Sequence, residues 1–135
     1  IGDLTSIEKY REMATFRGVY GNIDDQSVKD IFGLNEIFVC EGIKVFMTHI
    51  GGYPGKYTAR VHQIIRNEKP NLYICGHSHI CKVVPDKTNN LLHMNPGAYG
   101  HHGFHKVRTI LKFDIHQGKI ENLRAVELGL RGIIE

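Results

Sequence analysis

A change of pattern at Gly76 constrains this fold more than any other feature. Before it, short apolar runs alternate with helical segments; after it come paired runs joined by turn residues. Residues 5–14 have helical character. Thr5 or Ser6 can cap the segment, and Ile7, Tyr10, Arg11 and Ala14 share a face. Residues 16–20 read as a short strand ending in the turn Gly21-Asn22. Residues 26–32 read as a short helix stopped by Gly33. Two apolar strands, 36–40 and 43–48, are joined at Glu41-Gly42, a hairpin signal. A helix over 57–67, with Val61, Ile64 and Ile65 inward, leads to a buried strand over 72–75. Beyond Lys82, residues 83–84 and 91–94 flank one turn region, and 107–115 and 119–126 flank Gln117-Gly118. Helix-alternating strands followed by antiparallel ones predict an α/β sandwich. With no repeat, low-complexity segment or linker, residues 1–135 are expected to form a single domain.

Composition excludes several classes. The 135 residues are 41% apolar and 23% charged, which suits one ordinary globular domain. The net charge of +3 is not gathered into a Lys/Arg run, so a nucleic-acid arm is not expected. No apolar stretch approaches the roughly 18 residues of a membrane helix. Cys40, Cys75 and Cys81 form no C-x-x-C pair and no even framework; free thiols in a reducing cytoplasm are the simplest expectation.

The nine histidines are the unusual count. Four short motifs each put a possible metal ligand just past a strand end: Gly2-Asp3, Gly21-Asn22, Thr48-His49 and Gly76-His77-Ser78-His79. Such loops are where open α/β sheets gather their sites. Carboxylate, amide and imidazole together suit Mn²⁺, Fe²⁺ or Zn²⁺ better than Ca²⁺ or Mg²⁺, which prefer oxygen alone. Each motif has a structural reading too. Gly-Asp and Gly-Asn are turn signals, and His49 alone could be a satisfied strand-end histidine. Two imidazoles at i and i+2 after an apolar strand are rarely needed for packing, and the four motifs in this order are more specific than any one.

In this order the motifs resemble those of the calcineurin-like metallophosphoesterases, and within them the small YfcE-type phosphodiesterases of bacteria and archaea. That family runs D-x-H, G-D, G-N-x-D, a His after a strand, then G-H-x-H. Here the last four stand as Gly2-Asp3, Gly21-Asn22-Ile23-Asp24, Thr48-His49 and Gly76-His77-Ser78-His79, and Asn95-Pro96-Gly97 is similar to the subgroup's N-P-G turn. The resemblance covers most of the chain, from Gly2 to about Phe113. It implies a two-sheet sandwich flanked by helices in four layers, αββα, and a catalytic site built on two divalent ions, Mn²⁺ first among Mn, Fe, Zn and Ni. Asp3 would bridge the ions; Asn22, His49 and His77 would complete one, and His79 would ligate the other. The implied reaction is hydrolysis of a small phosphodiester or nucleotide by a hydroxide bridging the ions, which such centres hold about 3.5–4 Å apart.

Two departures qualify the resemblance. Protein phosphatases of the superfamily carry His within G-N-x-D to assist the leaving group; Ile23 stands there and cannot donate a proton. The family's D-x-H has no counterpart, because Ile1-Gly2-Asp3 reads as the tail of a strand with nothing before it. The expectation is therefore an N-terminally truncated domain lacking its first β-α unit. Its first metal would have only Asp3 and His79, so this polypeptide should bind the second more tightly, hydrolyse diesters poorly and tend to self-associate. The full activity would belong to a longer protein.

Further candidates lie around these motifs. Asp24 is either a partner that orients a ligand or the cap of the following helix. His101, His102 and His105 are candidate proton donors in a Gly-rich loop, with Lys106 and Arg108 near enough in sequence to hold phosphate, or the loop is simply a solvated surface. Residues 51–57 fail the P-loop spacing and read as a loop beside His49, from which Tyr53 and Lys56 could reach substrate. Tyr99 is a stacking candidate or a rim residue. The competing function is a non-catalytic interaction module on the same fold, like the scaffold subunit of the retromer coat; a nuclease is disfavoured by the missing basic stripe.

Overall fold

The computed structural model describes residues 4–132. Helix α1 (Leu4–Met13) opens them, and none of its described residues is buried; its apolar stripe lies on the surface. The expected strand over 16–20 is reduced to a single bridge, Val19 with Gly33, and α2 is one turn, Gln26–Lys29, shorter than read. Its cap is Asp25, whose side chain accepts from the Val28 amide, rather than Asp24. Beyond Lys29 the amides of Ile31 and Phe32 both turn back to the Val28 carbonyl, which closes the helix before Gly33.

Strands β1 (Asn35–Cys40) and β2 (Ile43–Thr48) form the expected hairpin. Both turn residues, Glu41 and Gly42, have positive φ, which matches the twist of the flanking strands. Helix α3 (Ala59–Glu68) starts at Thr58, whose side chain accepts from Val61 N, and crosses over to β3 (Leu72–Ile74), parallel to β2. Strands β4 (Cys81–Asp86) and β5 (Leu91–Pro96) follow; β5 lies parallel to β3 and antiparallel to β4. The resulting sheet has the order β1-β2-β3-β5-β4, and β6 (Val107–His116) pairs with β7 (Lys119–Leu130) in a second sheet.

The strand alternation divides the core. Phe46 and Tyr73 face α3 and pack on Val61 and Ile65. Their neighbours Val45 and Leu72 face the other way, where Leu111, Phe113, Ile115 and Ile120 of the second sheet close over them. The side-chain period of two sends adjacent residues to opposite faces, so β3 and the middle of β2, from Val45 to Met47, are apolar on both sides because both faces are covered. The sandwich of two sheets with helix on the outer face is the expected fold class. The functional consequence lies in the parallel pairing: β2 and β3 end at the same edge of the sheet, which brings the loops after Thr48 and Ile74 together.

Candidate metal centre

The loop at Gly21-Asn22 completes a cluster at that edge. The Asn22 amide oxygen lies 2.9 Å from His49 Nε2 and 3.2 Å from His77 Nδ1. The two imidazoles meet edge-on, with centroids 5.3 Å apart. Gly21 permits this approach, because a Cβ there would press on the His49 ring at 3.0 Å. Asp24, buried, accepts from the Gly21 amide at 2.6 Å and so ties the turn that presents Asn22. His49 is held from both sides: Arg60 of α3 donates to Thr48 Oγ1 at 3.2 Å, to the Ile50 carbonyl at 2.8 Å and to Asn35 Oδ1. Burial foremost, then the neighbouring His77, lowers the His49 pKa, with Asp24 opposing. That disfavours the charged ring, and a metal ligand must be neutral.

His77 and His79 both have positive φ, 67° and 59°, unusual for residues with a side chain. Asn95 holds this strained loop. Its amide nitrogen donates to the Gly76 carbonyl and to Ser78 Oγ, each at 3.0 Å, while its oxygen accepts from the Gly97 amide. The sequence marked Asn95 only as part of a turn; the pairing of β5 beside β3 turns it into the brace of the histidine loop. Asn95→Ala should cost about 0.5–1.5 kcal/mol or somewhat more, the net worth of hydrogen bonds to part-buried partners. Chemical denaturation checks this, and an unchanged midpoint would show that the brace is dispensable.

His79 pairs instead with His105, their Nδ1 atoms 3.2 Å apart. Its pKa is lowered, by burial first and then by His105 and His77. Beside His77 opens a cleft of about 490 Å³. Ile50, Tyr53, Ile80 and Lys82 line it, with Cys75 and His93 at the buried end. The Lys82 ammonium sits 5.0 Å from the Tyr53 ring centroid. Lys82, Arg60 and His93 escaped the sequence reading. Lys82 reaches the site because it pairs with Asn95 across β4 and β5, a register that no local motif announces.

The remaining sequence candidates separate. Asp3 lies outside the described residues. Tyr53 stands at the cleft, whereas Lys56 is not among the cleft's lining residues and its amide closes a turn onto the Tyr53 carbonyl. His102 is exposed, and His101 Nδ1 donates to the Arg131 carbonyl at 2.7 Å. Arg108 donates to the Leu128 carbonyl and so ties β6 to β7, a structural use in place of the phosphate contact considered for it. Tyr99 is exposed.

The donor chemistry fits a divalent metal. Among the described residues no three carboxylate, imidazole or thiol groups converge. The third donor beside His49 and His77 is the Asn22 amide. Ligand atoms about 2.1 Å from a metal and at right angles stand about 3 Å apart, and the two separations from Asn22 Oδ1 match that edge. No helix among the described residues is long and apolar enough to cross a membrane.

Comparison with solved structures supports the same fold. The solution structure of TM1076 from Thermotoga maritima superposes with a TM-score of 0.67 at 23% identity, over 93% of this chain and 74% of that one. A novel archaeal phosphodiesterase gives a TM-score of 0.69 at 21% identity, over 93% and 77%. Vps29 from Entamoeba histolytica, complexed with Zn²⁺, gives 0.67 at 15% identity, over 92% and 76%. No match was found among curated protein sequences. The Calcineurin-like phosphoesterase superfamily domain matches residues 1–118. Motif order, fold and that match agree: the chain belongs to the calcineurin-like phosphoesterase superfamily.

Proposed function

We propose that this protein is a metal-dependent phosphodiesterase acting on a small phosphodiester or nucleotide. The observation that carries the reading is the Asn22 amide oxygen within hydrogen-bond distance of one nitrogen from each of His49 and His77. These three residues would hold one divalent ion together with Asp3, and His79 with Asp3 would contribute to a second. Mn²⁺ is the ion that the resemblance puts first, and the mixed nitrogen and oxygen donors also suit Fe, Zn or Ni. When bound, such ions neutralise the phosphoryl oxygens and activate a water as nucleophile.

The chain's own residues supply the rest. Arg60, Asp24 and Asn95 fix the loops so that the donors need little rearrangement. The cleft beside His77, with Ile50, Tyr53 and Ile80 on its walls, suits the organic group of the substrate, and Lys82 suits its negative charge. Ile23 is 85% exposed and carries no proton to give. Substrates with good leaving groups, or a proton donor from elsewhere in the site, are therefore favoured. We read residues 1–135 as a single metallophosphoesterase domain working in the cytoplasm, where three free thiols stay reduced.

Turnover by the native protein is the test. With Mn²⁺ supplied, an aryl phosphodiester with a good leaving group should be cleaved at least about tenfold faster than an alkyl one, a difference of about 1.4 kcal/mol in the barrier. Metal binding with no turnover of any diester would instead favour a second reading, a non-catalytic interaction module. The Vps29 structures among the fold neighbours motivate that alternative.

A further inference from the structure

Outside the Asn22 cluster, the His79–His105 pair is governed by a hydrogen-bond accounting that fixes both rings. The rings meet edge-on at 79°, centroids 5.0 Å apart, with the two Nδ1 atoms at 3.2 Å. Between neutral imidazoles at that distance one nitrogen donates and the other accepts. A third contact decides which. His105 Nε2 lies 2.9 Å from the Gly100 carbonyl oxygen, which can only accept. His105 therefore carries its proton on Nε2, and its Nδ1 is a bare acceptor. His79 must then donate from Nδ1, which leaves the lone pair on its Nε2.

We propose that His105 is a positioning residue that locks His79 in its Nδ1–H tautomer, so that Nε2 is the nitrogen presented to a metal ion. The metal half of this rests on the function proposed above; the tautomer half does not. A second observation supports the lock. Gly103 has φ 131°, and a Cβ there would lie inside the contact distance of His79 Cε1 and Nδ1 and 3.2 Å from His105 Nδ1. The loop carrying His105 thus seats the His79 ring against bare backbone, where any side chain would push it aside. A histidine ligand whose other nitrogen is bonded in this way has one orientation and one tautomer, and such partners are commonly worth 10–100-fold in metal affinity.

The test uses the metal-free chain with ¹⁵N-labelled histidine at about pH 8, where rings of ordinary pKa are neutral. Two-bond ¹⁵N–¹H correlations should show His79 with Nδ1 protonated. His105→Ala should release it to a tautomer mixture or to the Nε2–H form. His105→Asn keeps an acceptor at the same place and should retain the Nδ1–H form. Wild-type His79 protonated on Nε2, or a His105→Ala variant still protonated on Nδ1, would overturn the proposal. Zn²⁺ titration follows. The His79 Nε2 resonance should move, with about 10–100-fold weaker binding in His105→Ala than in His105→Asn. Equal affinities in the two variants would overturn the functional importance of the lock. A correct tautomer whose nitrogens ignore Zn²⁺ would uphold the lock and overturn the metal reading instead.

Discussion

Exhaustive chelation is expected to abolish diester hydrolysis by the full-length protein, and added Mn²⁺ to restore it. Asn22→Ala and His77→Ala should each reduce turnover by about a hundredfold or more under saturating substrate. Removing any one of the proposed donors Asn22, His49 and His77 would leave two of the three groups that meet at the Asn22 amide oxygen. A catalytic metal ordinarily has about three protein ligands. A loss of about 3 kcal/mol in stabilisation of the phosphoryl charge corresponds to about two decades in rate. His77→Ala should also weaken Mn²⁺ binding measured by calorimetry, which separates a metal defect from a folding defect. Undiminished turnover after chelation would sink the mechanism. Asn95→Ala, by contrast, should act mainly on stability, because Asn95 braces the loop and belongs to no donor set.

Gly51→Ala should destabilise the fold by about 3 kcal/mol, at the upper end of overpacking costs, and lower Tm by about 10 °C. Gly51 follows the His49 loop, but its place is set by the core. A Cβ there would overlap Tyr73 Oη and lie 2.9 Å from Val61 Cγ2 and 3.1 Å from Tyr73 Cζ. Neither neighbour can yield. Tyr73 is fully buried and wedged among Phe46, Tyr57 and His93, with ring centroids 5.3–5.5 Å away. Val61 is fully buried on α3. Adding Tyr73→Phe removes the overlapping hydroxyl and should recover part of the loss, a coupling that a double-mutant cycle would read. Gly100→Ala, where an added Cβ meets nothing within 4 Å, is the control and should stay within about 0.5 kcal/mol. Equal melting curves for Gly51→Ala and Gly100→Ala would refute the packing argument.

Local order proved readable where one segment contains its own physics. The β1–β2 hairpin was legible because two apolar runs and a turn that tolerates positive φ lie side by side in sequence. Helix α3 was legible from the spacing of Val61, Ile64 and Ile65, and the last hairpin from Gln117-Gly118. Residues 16–20 were misread because apolar character is compatible with a strand without supplying a partner. Among the described residues only Val19 finds one, in Gly33. The cap of α2 passed from Asp24 to Asp25 because adjacent aspartates look alike until the backbone chooses. Asp25 takes the extended conformation of a cap, while Asp24 bonds back to Gly21.

The same division runs through the site. The sequence alone determined the donor types and their order: an amide after Gly21, an imidazole after Thr48 and two after Gly76. It did so because the chemistry of a metal ligand belongs to single residues and to the turns that expose them. Which donors meet was decided only by tertiary structure. Parallel pairing of β2 and β3 makes neighbours of His49 and His77, far apart in sequence, and the β4–β5 register delivers Lys82 and Asn95. The same folding sorts the Gly-rich loop. Of its three histidines, His105 alone makes the ring contact with His79, while His101 bonds a carbonyl and His102 is exposed. Local pattern sets which groups a segment offers, whereas long-range packing sets their distances, and coordination chemistry depends on both.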